Sequence, residues 1–188
     1  MAANRKPRKQ YRPRPVDADP IGLAFSRAVA LGPTQRLRFI EPAAVAMMAL
    51  KRGHATEQHW ADLADALNVA EQLCALRICN DRLPAVLAGQ AALHAIHHRH
   101  ATLGRWVAKG EELRALADDT GATLAALDVH RVQVNHCSQG EMATAIQRAT
   151  DRARQALAGN APRDALVCVG GLCTASTTAT HQPERATA

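Results

Sequence analysis

Apolar residues recur along most of this chain at spacings of three and four, the period of a helix packed on one side. The clearest stripe is Trp60, Leu63, Ala64, Leu67, Ala70 and Cys74. Thr56, just before it, is a residue type that caps helix N-termini. Together they predict a helix from there to about Asn80. Upstream, Asp19 as N-cap and Pro20 at the first helical position predict a helix that stops near Gly32 and Pro33. The run "IEPAAVAMMALKRG" predicts another, from about Pro42 to Gly53, with Lys51 and Arg52 in the last turn where the helix dipole favours cations.

Downstream, Pro84 opens a further helix with Leu93, Ile96 and Leu103 on its inner face. Gly104 and Gly110 then frame a loop containing Trp106. A long helix is expected from Glu111 to His136. Its main apolar residues are Leu113, Leu116, Leu124, Leu127, Val132 and Val134, and Gly121 is the point where it would kink or divide. Ser138 to Glu141 has capping-box spacing and starts the last helix. That helix carries Met142, Ile146, Ala149 and Leu157 and should end at Gly159.

Composition agrees with this pattern. Hydrophobic residues make up 47% of the 188, much of it Ala, and aromatics only 3%. The core must therefore be built from Leu, Ala, Val and Ile, which lean towards helices in an Ala- and Leu-rich chain. The expected fold class is all-α: an irregular bundle of about five to six helices over residues 17–160, with disordered N- and C-terminal tails. Residues 1–16 form a basic arm in which Pro7, Pro13 and Pro15 favour extended backbone and nothing apolar is available to bury. Residues 161–188 are Thr- and Ala-rich and of low complexity. No apolar run approaches the roughly 18 residues of a membrane span. The basic N-terminus lacks the apolar stretch of a secretory signal. The 5 cysteines, an odd number, fit reduced thiols and a cytoplasmic location.

Dividing the charge sharpens the picture. The chain holds 23 Lys and Arg against 17 Asp and Glu, a net of +6. Arg5, Lys6, Arg8, Lys9, Arg12 and Arg14 supply the whole excess, so the body from Val16 onward is neutral on balance. A short Arg-rich segment of this kind suits phosphate contacts on DNA or RNA, and Tyr11 adds a ring that can stack on a base or sugar. The competing readings are a solubility tail or a tether to an acidic protein partner.

Other chemistry is sparse. In "HAIHHRH", His94 and His98 are four apart, with His97 beside them, a spacing that can hold Zn²⁺ or Ni²⁺. No acid or thiol lies close in sequence to complete four ligands, so a solvated helix face is the favoured reading and no cofactor is expected. Cys74/Cys79 and Cys168/Cys173 each have four residues between them. Five helical residues turn the first pair onto different faces, whereas the second pair, with two glycines between, could approach in a turn. Buried thiols acting as small hydrophobes are the simpler account. No phosphate loop, dinucleotide fingerprint, nucleophile elbow or HExxH is present, so no enzyme is indicated. Leu63 to Ile78 has the register of a helix-turn-helix with a turn at Asn68-Val69, but its outward residues Glu71, Gln72, Ala75 and Leu76 are poor readers of DNA.

The runs "YRPRPV" to "DP" at 11–20, "WADLADALNVA" at 60–70 and "GRWVAKGEELRAL" at 104–116 resemble small helical proteins encoded by proteobacterial phages, plasmids and genomic islands. That group has no established activity. The resemblance implies a cytoplasmic accessory protein of a mobile element, with residues 162–188 atypical of the group. The function expected is a non-enzymatic helical protein whose arm binds nucleic acid without sequence preference. The alternatives are a protein–protein interaction module or homodimer, and a helix-turn-helix regulator using residues 63–78.

Overall fold

The computed structural model describes residues 28–104, 106 and 111–158, together with Ala24 and the pairs 168–169 and 172–173. Among the described residues, five α-helices follow in chain order: α1 Pro33–Lys51, α2 Glu57–Ala75, α3 Leu83–Leu103, α4 Glu111–His136 and α5 Gln139–Leu157. A single 3-10 turn, Asn80–Arg82, leads into α3. After α5, β1 (Cys168–Val169) and β2 (Leu172–Cys173) pair antiparallel, with Cys168 opposite Cys173. The described body is thus an all-α bundle, as the pattern predicts. The basic arm at 1–16 and most of the expected helix at 19–32 lie outside the described residues. Of that helix, Ala24 and Ala28 are helical, but Ala30 already bridges to Ser138 and the Val29 carbonyl accepts from the Gln139 N–H at 2.8 Å.

α1 corrects the sequence reading at both prolines. It begins at Pro33, read above as a stop, and runs through Pro42, read above as a start. Gly32 is the N-cap with extended backbone, and its N–H donates to the Gln35 side chain at 2.9 Å. Pro33 suits the first position because its missing N–H would have no helical partner there. Pro42 lies in the interior, so the Arg38 carbonyl loses its usual donor. The C-terminus forms a Schellman motif. Gly53 takes φ +74°, its N–H reaches the Leu50 carbonyl at 3.1 Å, and the His54 N–H reaches that of Ala49 at 2.9 Å.

α2 is the centre of the bundle and touches each of the other four helices. Thr56 caps it, accepting from the His59 N–H at 3.4 Å while His59 Nδ1 accepts from the Thr56 N–H at 3.1 Å. All six stripe residues are buried, and so are Ala61, Ala66 and Leu73. Fully burying a Leu such as Leu67 contributes roughly 2 kcal/mol. The helix stops at Ala75, five residues short of the expected Asn80. There Arg77 takes φ +69°, and the Ile78 N–H closes on the Leu73 carbonyl at 3.0 Å, a Schellman stop without glycine. The turn required at Asn68-Val69 by a helix-turn-helix does not form, because both residues lie inside one uninterrupted helix.

α3 and α4 make the most extensive pairing. The α3 main chain comes so close to α4 at Gly89 that a Cβ there would sit 2.4 Å from the Ala126 Cβ. Leu93 and Ile96 are buried as expected, and Leu93 accepts a hydrogen bond from the Trp60 indole at 3.1 Å through its carbonyl. Leu103 is exposed at the fraying end. α4 runs unbroken through Gly121, which faces open space. Its inward residues differ in part from the expectation. Val134 is buried and Leu116 and Leu127 pack on the core as expected, but Leu124 and Val132 are exposed, while Thr123, Ala126, His130 and Gln133 are buried. On α5, Met142 and Ala145 are buried, whereas Ile146 and Leu157 are exposed. Ser138 and Glu141 form the expected capping box.

Candidate functional site

α4 carries all three buried polar residues found among the described residues: Thr123, His130 and Gln133. Two have evident structural duties. Thr123 Oγ1 donates to its own helix at the Asp119 carbonyl, 2.8 Å away. Gln133 Nε2 reaches the Ala70 carbonyl at 3.1 Å, the Ile78 carbonyl at 3.0 Å and Cys74 Sγ at 3.1 Å, tying the end of α2 to α4. Its Oε1 has no partner.

His130 is different. It is 3% exposed, its Nδ1 has no partner, and the Phe39 backbone beside the ring favours its protonated form. With Nε2–H as the donor towards Phe39, Nδ1 is a lone-pair acceptor. Burial pushes the His130 pKa down to about 4, against the smaller raising effect of Phe39. The imidazole is therefore neutral at pH 7.

His130 lines a cavity of about 350 Å³ between α1, α2, α4 and α5. Pro42 lines it too, as does Arg38, whose carbonyl Pro42 deprives of a donor. α2 contributes Asp62 and Asp65, three apart and hence on one face. Asp62 Oδ1 accepts from Gln58 Nε2 at 2.9 Å. Burial, and then the Asp62 charge, push the Asp65 pKa up to about 6. Yet Asp65 as a residue is exposed, so this is a carboxyl on a cavity wall with water at its edge. The remaining wall is largely apolar, with Phe39, Val69, Ile146 and Ala149. Two carboxylates stand on the wall of an otherwise largely apolar pocket, with the buried, unpartnered His130 beside them.

The residues singled out from the sequence fall elsewhere. Arg5, Lys6, Arg8, Lys9, Tyr11, Arg12 and Arg14 lie outside the described residues. The histidine cluster is split. His94 and His98 stand exposed on the outer face of α3, while His97 turns inwards. The His97 ring lies 4.3 Å from Trp60, and its Nε2 is 3.5 Å from the Glu57 carboxylate. The same carboxylate approaches His100 Nδ1 at 3.2 Å, and His100 stacks on Trp106 with centroids 3.8 Å apart. Burial lowers the His97 pKa, and Glu57 works against that shift. Among the described residues, no group of three or more His, Cys, Asp or Glu is gathered to hold a metal ion. Cys74 and Cys137 are buried thiols, both with raised pKa from burial, that of Cys137 to about 11. No helix among the described residues is long and apolar enough to cross a membrane.

The cavity escaped sequence reading because its signal is scattered over four helices. One clue was present. His130 falls in the inward heptad register set by Leu116, Thr123 and Ala126, a place where an apolar residue is the ordinary choice. Compared with protein-family models, curated proteins and solved structures, the chain matches none of them.

Proposed function

We propose that this is a non-enzymatic helical accessory protein that contacts nucleic acid, without sequence preference, through Arg5, Lys6, Arg8, Lys9, Tyr11, Arg12 and Arg14. The observation that carries this reading is the segregation of charge: the whole net +6 resides in residues 5–14, and the rest of the chain is balanced. The body supports the division. Arg82, Arg99, Arg131, Arg152 and Arg154 each lie against a carboxylate, which neutralises them locally. Glu71, expected to point outward in a DNA-reading helix, is held instead by Arg152 and Gln90. A cytoplasmic role in a mobile element follows from the family resemblance and belongs to the same proposal.

The test is to replace the six cations with Gln in the full chain and measure binding to random-sequence duplex and single strands at two salt concentrations. The parent should bind with a log–log salt slope of roughly −5 if all six meet phosphates, and the variant should lose that binding. Equal affinity of parent and variant, or no binding by the parent, contradicts the reading. A second reading, a protein-interaction module or homodimer, is favoured by Leu37, Val45 and Met48, which are 59%, 52% and 52% exposed along α1. It predicts self-association or partner binding that Met48→Glu abolishes.

A further inference from the structure

We propose that the cavity between α1, α2, α4 and α5 is a binding site for an alkylammonium group, its head held by Asp62 and Asp65 and its alkyl body seated against Phe39, Val69 and Ile146. Four features lead there. First, the polar wall offers acceptors in excess. Asp65 makes no hydrogen bond or ion pair among the described residues, and Asp62 spends one oxygen on Gln58. His130, which also lines the cavity, is almost wholly buried and its Nδ1 has no partner. A buried acceptor without a donor costs about 1–3 kcal/mol, so a ligand that supplies donors recovers that cost.

Second, an ammonium group fits this demand, because it has three donors and no acceptor. Third, the local charge suits a cation. Two carboxylates face one guanidinium, that of Arg38, which is exposed at the rim. Fourth, the volume of about 350 Å³ lies in the range of small-molecule pockets, and its walls are mainly apolar. An inorganic cation would leave those apolar walls unused. A phosphate or carboxylate ligand would be repelled by Asp62 and Asp65.

An alkylammonium can come from a free amine or from a lysine side chain, and the two sources are distinguished by the probes. The full chain is titrated with n-pentylamine, with n-pentanol as its neutral counterpart, and with Nα-acetyl-lysine methylamide. Binding is read by calorimetry and by amide shifts. The amine should bind saturably, with shifts centred on residues 38–43, 62–69 and 130. Pentanol should bind at least about tenfold more weakly, the loss expected for one charge-assisted contact.

Asp65→Asn should weaken amine binding by about tenfold or more without loss of fold, because Asp65 stands at the surface of α2. His130→Leu, which removes the Nδ1 acceptor altogether, should weaken it further. Asp118→Asn, on the exposed face of α4, should leave it unchanged. A lysine derivative that binds as tightly as pentylamine identifies a side-chain ligand, and one that binds more weakly identifies a free amine. Absence of saturable binding by both amines, equal response to pentanol, or indifference to Asp65→Asn overturns the proposal. Replacing the six arm cations should not alter amine binding, so this inference and the nucleic-acid reading fail independently.

Discussion

The two sides of α4 were built to opposite specifications. Towards α3, Ala122 and Ala126 meet Gly89 so closely that no side chain fits between the main chains. Towards α1 and α5, the same helix offers His130 to a cavity of about 350 Å³. The first side is an ordinary close-packed seam, where shape decides everything. The second side leaves space and an unsatisfied acceptor in one place. A bundle able to bring helices into main-chain contact at one face is under no general packing handicap. The open face is therefore a local feature with its own chemistry.

Enlarging one residue on each side should break this comparison most sharply. Gly89→Leu forces α3 and α4 apart and should destabilise by about 3 kcal/mol or more, an extreme case of overpacking. Ala149→Leu points a similar bulk into the cavity and should change stability by no more than about 1 kcal/mol. Urea unfolding of both variants measures the contrast, and equal losses would erase it.

The next effect is on pH dependence. His130 has a folded pKa near 4, below the ordinary 6.5, so the unfolded chain binds more protons between those values. Stability should therefore fall as pH drops from 6.5 towards 4, by roughly 3 kcal/mol from this residue alone. His97, also depressed, acts with the same sign. Asp65 acts oppositely. Its folded pKa near 6 exceeds its ordinary 3.8, so the folded state binds more protons in that window and loses stability as pH rises through it. Its exposure keeps this contribution small. Asp65→Asn should steepen the acid loss, and His130→Leu should flatten it. Unfolding midpoints across pH 4 to 7 for the three proteins measure this.

Smaller effects separate structural from functional polarity. Gln133→Leu removes the donor to Ala70 and Ile78 and should cost about 1–3 kcal/mol. Gly121→Ala, where no atom lies within 4 Å, should raise stability by about 1 kcal/mol through helix propensity. Thermal unfolding resolves both signs.

Much of the bundle was legible because its signals are local. Thr56 and Ser138 cap where their side chains and spacing require, and the α2 stripe is buried at every expected position. The failures share one cause: residue type outweighed register. Leu124 and Val132 drew attention by being apolar, yet the turn of α4 buries Thr123, His130 and Gln133 instead. Pro42 was read as a helix start because an interior proline costs about 3 kcal/mol, and only the surrounding packing of α1 overrides it. The cavity depends on residues from four helices meeting in space, which no single stretch reveals. The charge division, by contrast, needs no fold to be seen.

The most direct test of a built acceptor site is the state of His130 itself. Imidazole nitrogen shifts of the full chain, followed from pH 7 to pH 3.5, report both tautomer and titration. The account predicts a neutral ring with the proton on Nε2, a bare Nδ1 and a midpoint near pH 4. A ring that titrates near 6.5, or one whose Nδ1 carries the proton at neutral pH, would contradict it.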